Sequence, residues 1–177
     1  MFRLLRAGGR ASCLALLLCL VSACASAPVG SPQDRLDQEQ RVRATLDALH
    51  AAAASADGAA YFALFDDAAV YYGTDAGERW SVAEFRAFAE PYFSRGRGWT
   101  YTATERHVFL SQAGDTAWFD ERLWNESYGE TRGSGVLVRA PGADSPWRFV
   151  QYNLTIPVPN ELAVDLVERI RALPAAR

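Results

Sequence analysis

From Asp34 onward, apolar residues recur at Val42, Leu46, Leu49 and Ala53 with charged residues between them. This is the spacing of one helical face, and it predicts a first helix from Asp34 to about Asp57-Gly58. A short second helix comes next, with Asp57 placed to cap it and Tyr61, Phe62, Leu64 and Phe65 as its apolar set. The β-prone run Ala68 to Tyr72 stops at Gly73-Thr74-Asp75-Ala76-Gly77, a turn composition. Ser81-Val82-Ala83-Glu84 has the spacing of a capping box and opens a third helix through Phe85, Phe88 and Ala89 to about Phe93. Gly96 and Gly98 end it.

From Trp99 the hydrophobic period changes to two. Trp99 to Leu110 and Thr116 to Asn125 read as strands joined across Ser111 to Asp115, where Gly114-Asp115 is the turn signal. Gly133 to Arg139 and Trp147 to Ile156 make a second pair across Pro141 to Pro146, and Gly133-Ser134-Gly135 reads as a bend or close-packing site. Pro157-Val158-Pro159 closes the sheet, and Asn160 is expected to cap a last amphipathic helix carrying Leu162, Leu166, Ile170 and Leu173. Helices followed by a run of antiparallel strands give the α+β class.

The first 23 residues have another pattern, with no acid and three arginines, Arg3, Arg6 and Arg10, ahead of the apolar run Leu14 to Val21. They read as a secretory signal, and the run is too short for a membrane span of about 20 apolar residues. Two cleavage patterns compete. Ala25-Ser26-Ala27 is an A-x-A site, but it would leave Pro28 as the first mature residue. Val21-Ser22-Ala23-Cys24 resembles the lipobox of bacterial lipoproteins, and by that resemblance Cys24 carries the lipid and becomes the mature N-terminus. All three cysteines lie at or before Cys24, so the exported body has no disulfide and must be held by its core. The expected division is therefore a signal over 1–23, a flexible lipidated tether over 24–33, a domain over 34–160 and a helix over 161–177. The expected location is the cell envelope, lipid-anchored, at the outer membrane facing the periplasm. From Cys24 onward the chain holds 15 basic and 21 acidic residues with no basic block, which sets nucleic acid aside as a partner.

Little in the sequence marks chemistry. His50 and His107 stand far apart without a metal-binding spacing, and no P-loop, dinucleotide or Gly-x-Ser-x-Gly pattern is present. No metal, cofactor or catalytic set is therefore assigned. Strand alternation is more informative. It places Glu121 on one face with Ala117, Phe119 and Leu123, so this carboxylate is expected to be a ligand anchor, a general base, or a structural group satisfied by Arg132 or a tyrosine hydroxyl. Unbroken alternation from Phe149 carries Gln151 and Asn153 to the same inward face, leaving Arg148, Val150, Tyr152 and Leu154 on the outer one.

Tyr61-Phe62-Ala63-Leu64-Phe65, Gly73-Thr74-Asp75, Gly77-Glu78-Arg79-Trp80, Arg97-Gly98-Trp99, Ala117-Trp118-Phe119-Asp120-Glu121, Arg132-Gly133-Ser134-Gly135-Val136-Leu137 and Gln151-Tyr152-Asn153-Leu154 with Pro159-Asn160 together resemble the SnoaL-like branch of the nuclear-transport-factor-2-like (NTF2-like) superfamily. The resemblance covers about Arg35 to Asn160 and implies a cone, in which a curved antiparallel sheet wraps around three N-terminal helices and encloses a pocket, with a C-terminal helix added. Where relatives place a pocket histidine in a W-x-I-x-x-x-H pattern, this chain has Asn153, which removes a ready proton-transfer group. The expected pocket residues are Trp80, Trp99, Phe119, Glu121, Gln151 and Asn153. Three functions are expected from this. The first is a lipid-anchored protein binding a small, partly apolar molecule; the second is an isomerase, cyclase or dehydratase using Glu121 or Asp75 as general base; the third is a dimeric scaffold. A homodimer through the outer sheet face is expected, since sheets of the superfamily pair there and Val150, Tyr152 and Leu154 would otherwise be an exposed apolar patch with Arg148 at its rim.

Overall fold

The computed structural model describes residues 31–142 and 144–174. The expected signal, the lipid-bearing Cys24 and most of the tether lie outside the described residues.

Helix α1 spans Pro32–Ala54 and starts two residues before the expected Asp34, because Ser31 and Asp34 cap it reciprocally with proline in its first turn. Its stripe of Val42, Leu46, Leu49 and Ala53 is buried as the spacing predicts. Helix α2 (Gly58–Ala63) is capped by Asp57, whose carboxylate accepts from the Ala60 amide at 2.9 Å. Phe65, grouped with that helix in the sequence, instead opens strand β1 (Phe65–Tyr72). A short strand that the sequence does not signal, β2 (Arg79–Ser81), returns alongside β1 and leads into α3 (Val82–Phe93). The Ser81 and Glu84 side chains form the capping box of α3.

Four longer strands complete the sheet: β3 (Thr102–Leu110), β4 (Thr116–Asn125), β5 (Gly129–Val138) and β6 (Arg148–Thr155). Strand β4 matches its expected limits. Strand β5 starts four residues earlier than Gly133, because the β4–β5 ladder runs without interruption from Thr116 opposite Val138 to Asn125 opposite Gly129. The sheet order is β2-β1-β6-β5-β4-β3. Neighbours are antiparallel except β1 and β6, which pair in parallel, so the sheet is mixed at one seam. Helices α1, α2 and α3 pack against it. Trp147 donates its indole N–H to the Gln38 side chain at 3.1 Å, fastening α1 to the start of β6.

Strand β6 departs from simple alternation. Gln151 is opposite Val136 and Phe149 is opposite Leu137, so Val150 has no partner on β5; the ladder with β1 shifts between the same residues. This bulge turns the strand by one position, and Phe149, Tyr152 and Leu154 all enter the core. The expectation for Gln151 and Asn153 is corrected accordingly: Gln151 is exposed and Asn153 lies on the face opposite Tyr152 and Leu154. Tyr152 and Leu154 are likewise absent from the outer face, where they were expected.

Helix α4 (Asn160–Ala172) buries none of its residues. Its N-cap position is Pro159 without a side-chain cap bond, so Asn160 is the first helical residue rather than the cap. No helix among the described residues is long and apolar enough to cross a membrane.

Candidate functional site

A cavity of about 290 Å³ opens where the β1–β2 loop, α3, the segment after α3 and the β4–β5 turn converge. That volume is at the lower edge of the range of about 300–1,000 Å³ for small-molecule sites. Helix α3 supplies Phe85, Phe88 and Tyr92 from one face. Tyr71 of β1 stacks on Phe85 at 3.8 Å between ring centres, and Trp80 of β2 stacks on Phe85 at 5.4 Å and on Phe88 at 5.0 Å. Trp99 and Tyr101 form a further wall, and Leu154 contributes an aliphatic one. Trp99 is fixed by its backbone N–H, which donates to the Ala53 carbonyl at 3.2 Å. Gly98 permits that approach, since a methyl group there would overlap the same carbonyl. At the mouth, Phe88, Tyr92 and Tyr128 are about half exposed. Asn125 sets the turn that carries Tyr128 by accepting from the Ser127 and Tyr128 amides at 2.9 and 3.0 Å.

Two phenols of the lining stay neutral far into alkaline pH. Burial pushes the Tyr71 hydroxyl well above its ordinary value, and burial pushes Tyr101 up to about 12. One carboxylate also reaches the cavity. Glu78 lies over Gly73, where a methyl group would overlap it, and accepts from the Asp75 amide at 3.1 Å. It is half-buried, and among the described residues it has no ion-pair partner.

Of the six expected pocket residues, the structure brings Trp80 and Trp99 together at the cavity. Phe119 is buried behind it against Phe149 and Tyr152. Gln151 and Asn153 face away because of the bulge. Glu121 does turn inward and is fully buried, but it does not line the cavity. Its two oxygens meet His50 Nε2 of α1 at 2.7 Å and Arg106 Nε of β3 at 2.8 Å. Arg106 also reaches Asp47 at 2.7 Å, so the cluster ties α1 to the sheet. Arg132 is exposed and is not the partner of Glu121. His107, on the outer face, meets Asp120 at 3.2 Å, so the two histidines remain apart. Asp75 is exposed, with its carboxylate accepting from the Gly77 amide at 2.8 Å.

Phe85, Phe88, Tyr92, Tyr101, Tyr128 and Glu78 line the cavity without having stood out as a site in the sequence. Only the α3 trio had a signal, its helical spacing. The others come from loops and strand ends that meet only in the folded cone.

Residues 42–159 match the SnoaL-like domain family. Among curated proteins nothing matches the chain. Among solved structures, the chain is similar to an NTF2-like protein of unknown function from Pseudomonas putida, with a TM-score of 0.58 and 16% identity over 71% of this chain and 91% of that one. It is also similar to a protein of unknown function from Mycobacterium tuberculosis, with a TM-score of 0.60 and 15% identity over 75% of this chain and 79% of that one. A third, from Pectobacterium atrosepticum, gives a TM-score of 0.57 and 22% identity over 72% of this chain and 98% of that one. Such likeness establishes the fold alone. With a family match over well over half its length, the chain belongs to the SnoaL-like domain family, and its six-stranded sheet packed with helices is the NTF2-like fold.

Proposed function

We propose that this is a lipid-anchored cell-envelope protein whose cone pocket binds a small, partly apolar molecule. The observation that carries the reading is the cavity wall, in which aromatic rings dominate and a few polar groups are set among them. The carboxylates expected as general bases support binding over proton abstraction by their placement. A base must face the substrate; Glu121 is buried away from the cavity between His50 and Arg106, and Asp75 stands outside the lining. The anchor is supported by the lipobox-like Val21-Ser22-Ala23-Cys24, and a second copy over the outer sheet face by the exposed Phe109 and Trp118, which stack at 5.7 Å.

The test of binding is titration of tryptophan fluorescence with a panel of neutral and charged small molecules, since Trp80 and Trp99 both face the cavity. A saturable change that Trp80→Leu abolishes supports the reading; no saturable change with any probe removes it. For the anchor, intact-mass analysis should find acyl mass on Cys24, and a mature chain starting at Pro28 without it would overturn that part. Light scattering should give a dimer that Trp118→Arg dissociates.

A further inference from the structure

Resting on the pocket reading above, we propose that the ligand's recognised group is a compact organic cation, a quaternary or tertiary ammonium, seated among the rings of Trp80, Phe88, Tyr92, Trp99 and Tyr101 beside the carboxylate of Glu78. The faces of aromatic rings are the negative ends of their quadrupoles, so a wall of such rings attracts an ammonium that has shed its water. The charge of the lining has the same sign. Among the described residues, Glu78 is its one acidic side chain and no basic residue lines the cavity. Two arginines adjacent in sequence to lining residues stay outside the lining: Arg79 lies 5.8 Å from the centre of the Tyr72 ring and Arg86 lies 4.4 Å from that of Phe62.

Glu78 is the informative residue. Glu78 is partly buried, and among the described residues it has hydrogen-bonded support only from the Asp75 amide, at 3.1 Å and on Oε2. Its remaining oxygen is available to a ligand. The loop is shaped to hold it there, because Gly73 leaves room for the carboxylate that any side chain would displace. An anion would meet a carboxylate and aromatic rings without a compensating positive group. A neutral ligand would leave Glu78 desolvated and unpaired. A cation satisfies both.

The test uses shape-matched probes on the full chain. Choline is compared with 3,3-dimethylbutan-1-ol, in which carbon replaces the charged nitrogen, and benzyltrimethylammonium with the neutral aromatic indole, all by calorimetric titration. The expected result is choline binding about tenfold or more tighter than its carbon isostere. In Glu78→Gln, which keeps an acceptor for the Asp75 amide, that preference should fall to about twofold or less with the affinity for indole unchanged. Equal or tighter binding of the carbon isostere to the unaltered protein would overturn the cation assignment and leave the pocket reading standing. Failure of every probe, indole included, would overturn both. A preference for choline that Glu78→Gln leaves intact would remove Glu78 from the site and overturn the proposal in the form given.

Discussion

Glu121 shows what a single buried carboxylate demands. With its side chain fully buried, it is compatible with the fold only because His50 and Arg106 meet its oxygens. Glu121→Ala should therefore cost about 3–5 kcal/mol in urea unfolding, as expected when one partner of a buried ion pair is removed. Glu121→Gln should cost about 1–3 kcal/mol. A neutral effect of both would refute the structural role. The inward facing of Glu121 was legible from alternation, but its partners were not read. The signal lay in hairpin register: Leu110 opposite Ala117 carries through to Arg106 opposite Glu121. His50 had no such local cue, since helix and strand meet only through tertiary packing. Tyrosines give a second residue-scale expectation. Burial raises the phenols of Tyr61, Tyr71 and Tyr152 well above their ordinary value of 10.0, and that of Tyr101 to about 12. The sign comes from linkage. These neutral phenols contribute stability in full below the unfolded-state value near 10, and lose it as pH rises through the folded-state values. Unfolding midpoints should fall steeply above about pH 10, less steeply in Tyr61→Phe; a midpoint flat to pH 12 would contradict the burial.

At the scale of elements, local signals located the helices and hairpins well. Asp57 and the Ser81–Glu84 box mark two helix starts, and the composition of β4 gave both its ends. Those signals act within a few residues of where they are written. The β6 bulge was invisible because Val150 is as β-prone as its neighbours; what places it is the fit of β6 between β1 and β5, which no window of sequence contains. Four of the six expected pocket residues fell outside the cavity, two of them through this one inserted position. Gly135 lies at the same place on β5, where a methyl group would overlap the Gln151 carbonyl and lie 3.0 Å from the Phe119 ring. Gly135→Ala should accordingly destabilise by about 1–3 kcal/mol, the usual cost of overpacking, measured by thermal unfolding. A harmless substitution would mean that the strands at the bulge can part to admit a methyl group.

For the whole molecule, the α+β order and the cone were legible because helices precede strands and the motifs run through nearly the whole domain. The cavity was less so, since its walls are assembled from five regions of chain. Beyond the cone, helix α4 carries Leu162, Val164, Val167 and Ile170 at 42–68% exposure and packs none of its residues away from water. A helix of 13 residues is marginal in water without tertiary support. Its amides should exchange with deuterium orders of magnitude faster than those of β4, and ending the chain at Pro159 should leave the urea midpoint unchanged; a lower midpoint would show that α4 belongs to the folding unit. With α4 packing none of its residues away from water, the cooperative unit is expected to close at Pro159, so that the helix adds length to the chain without adding to the stability of the domain.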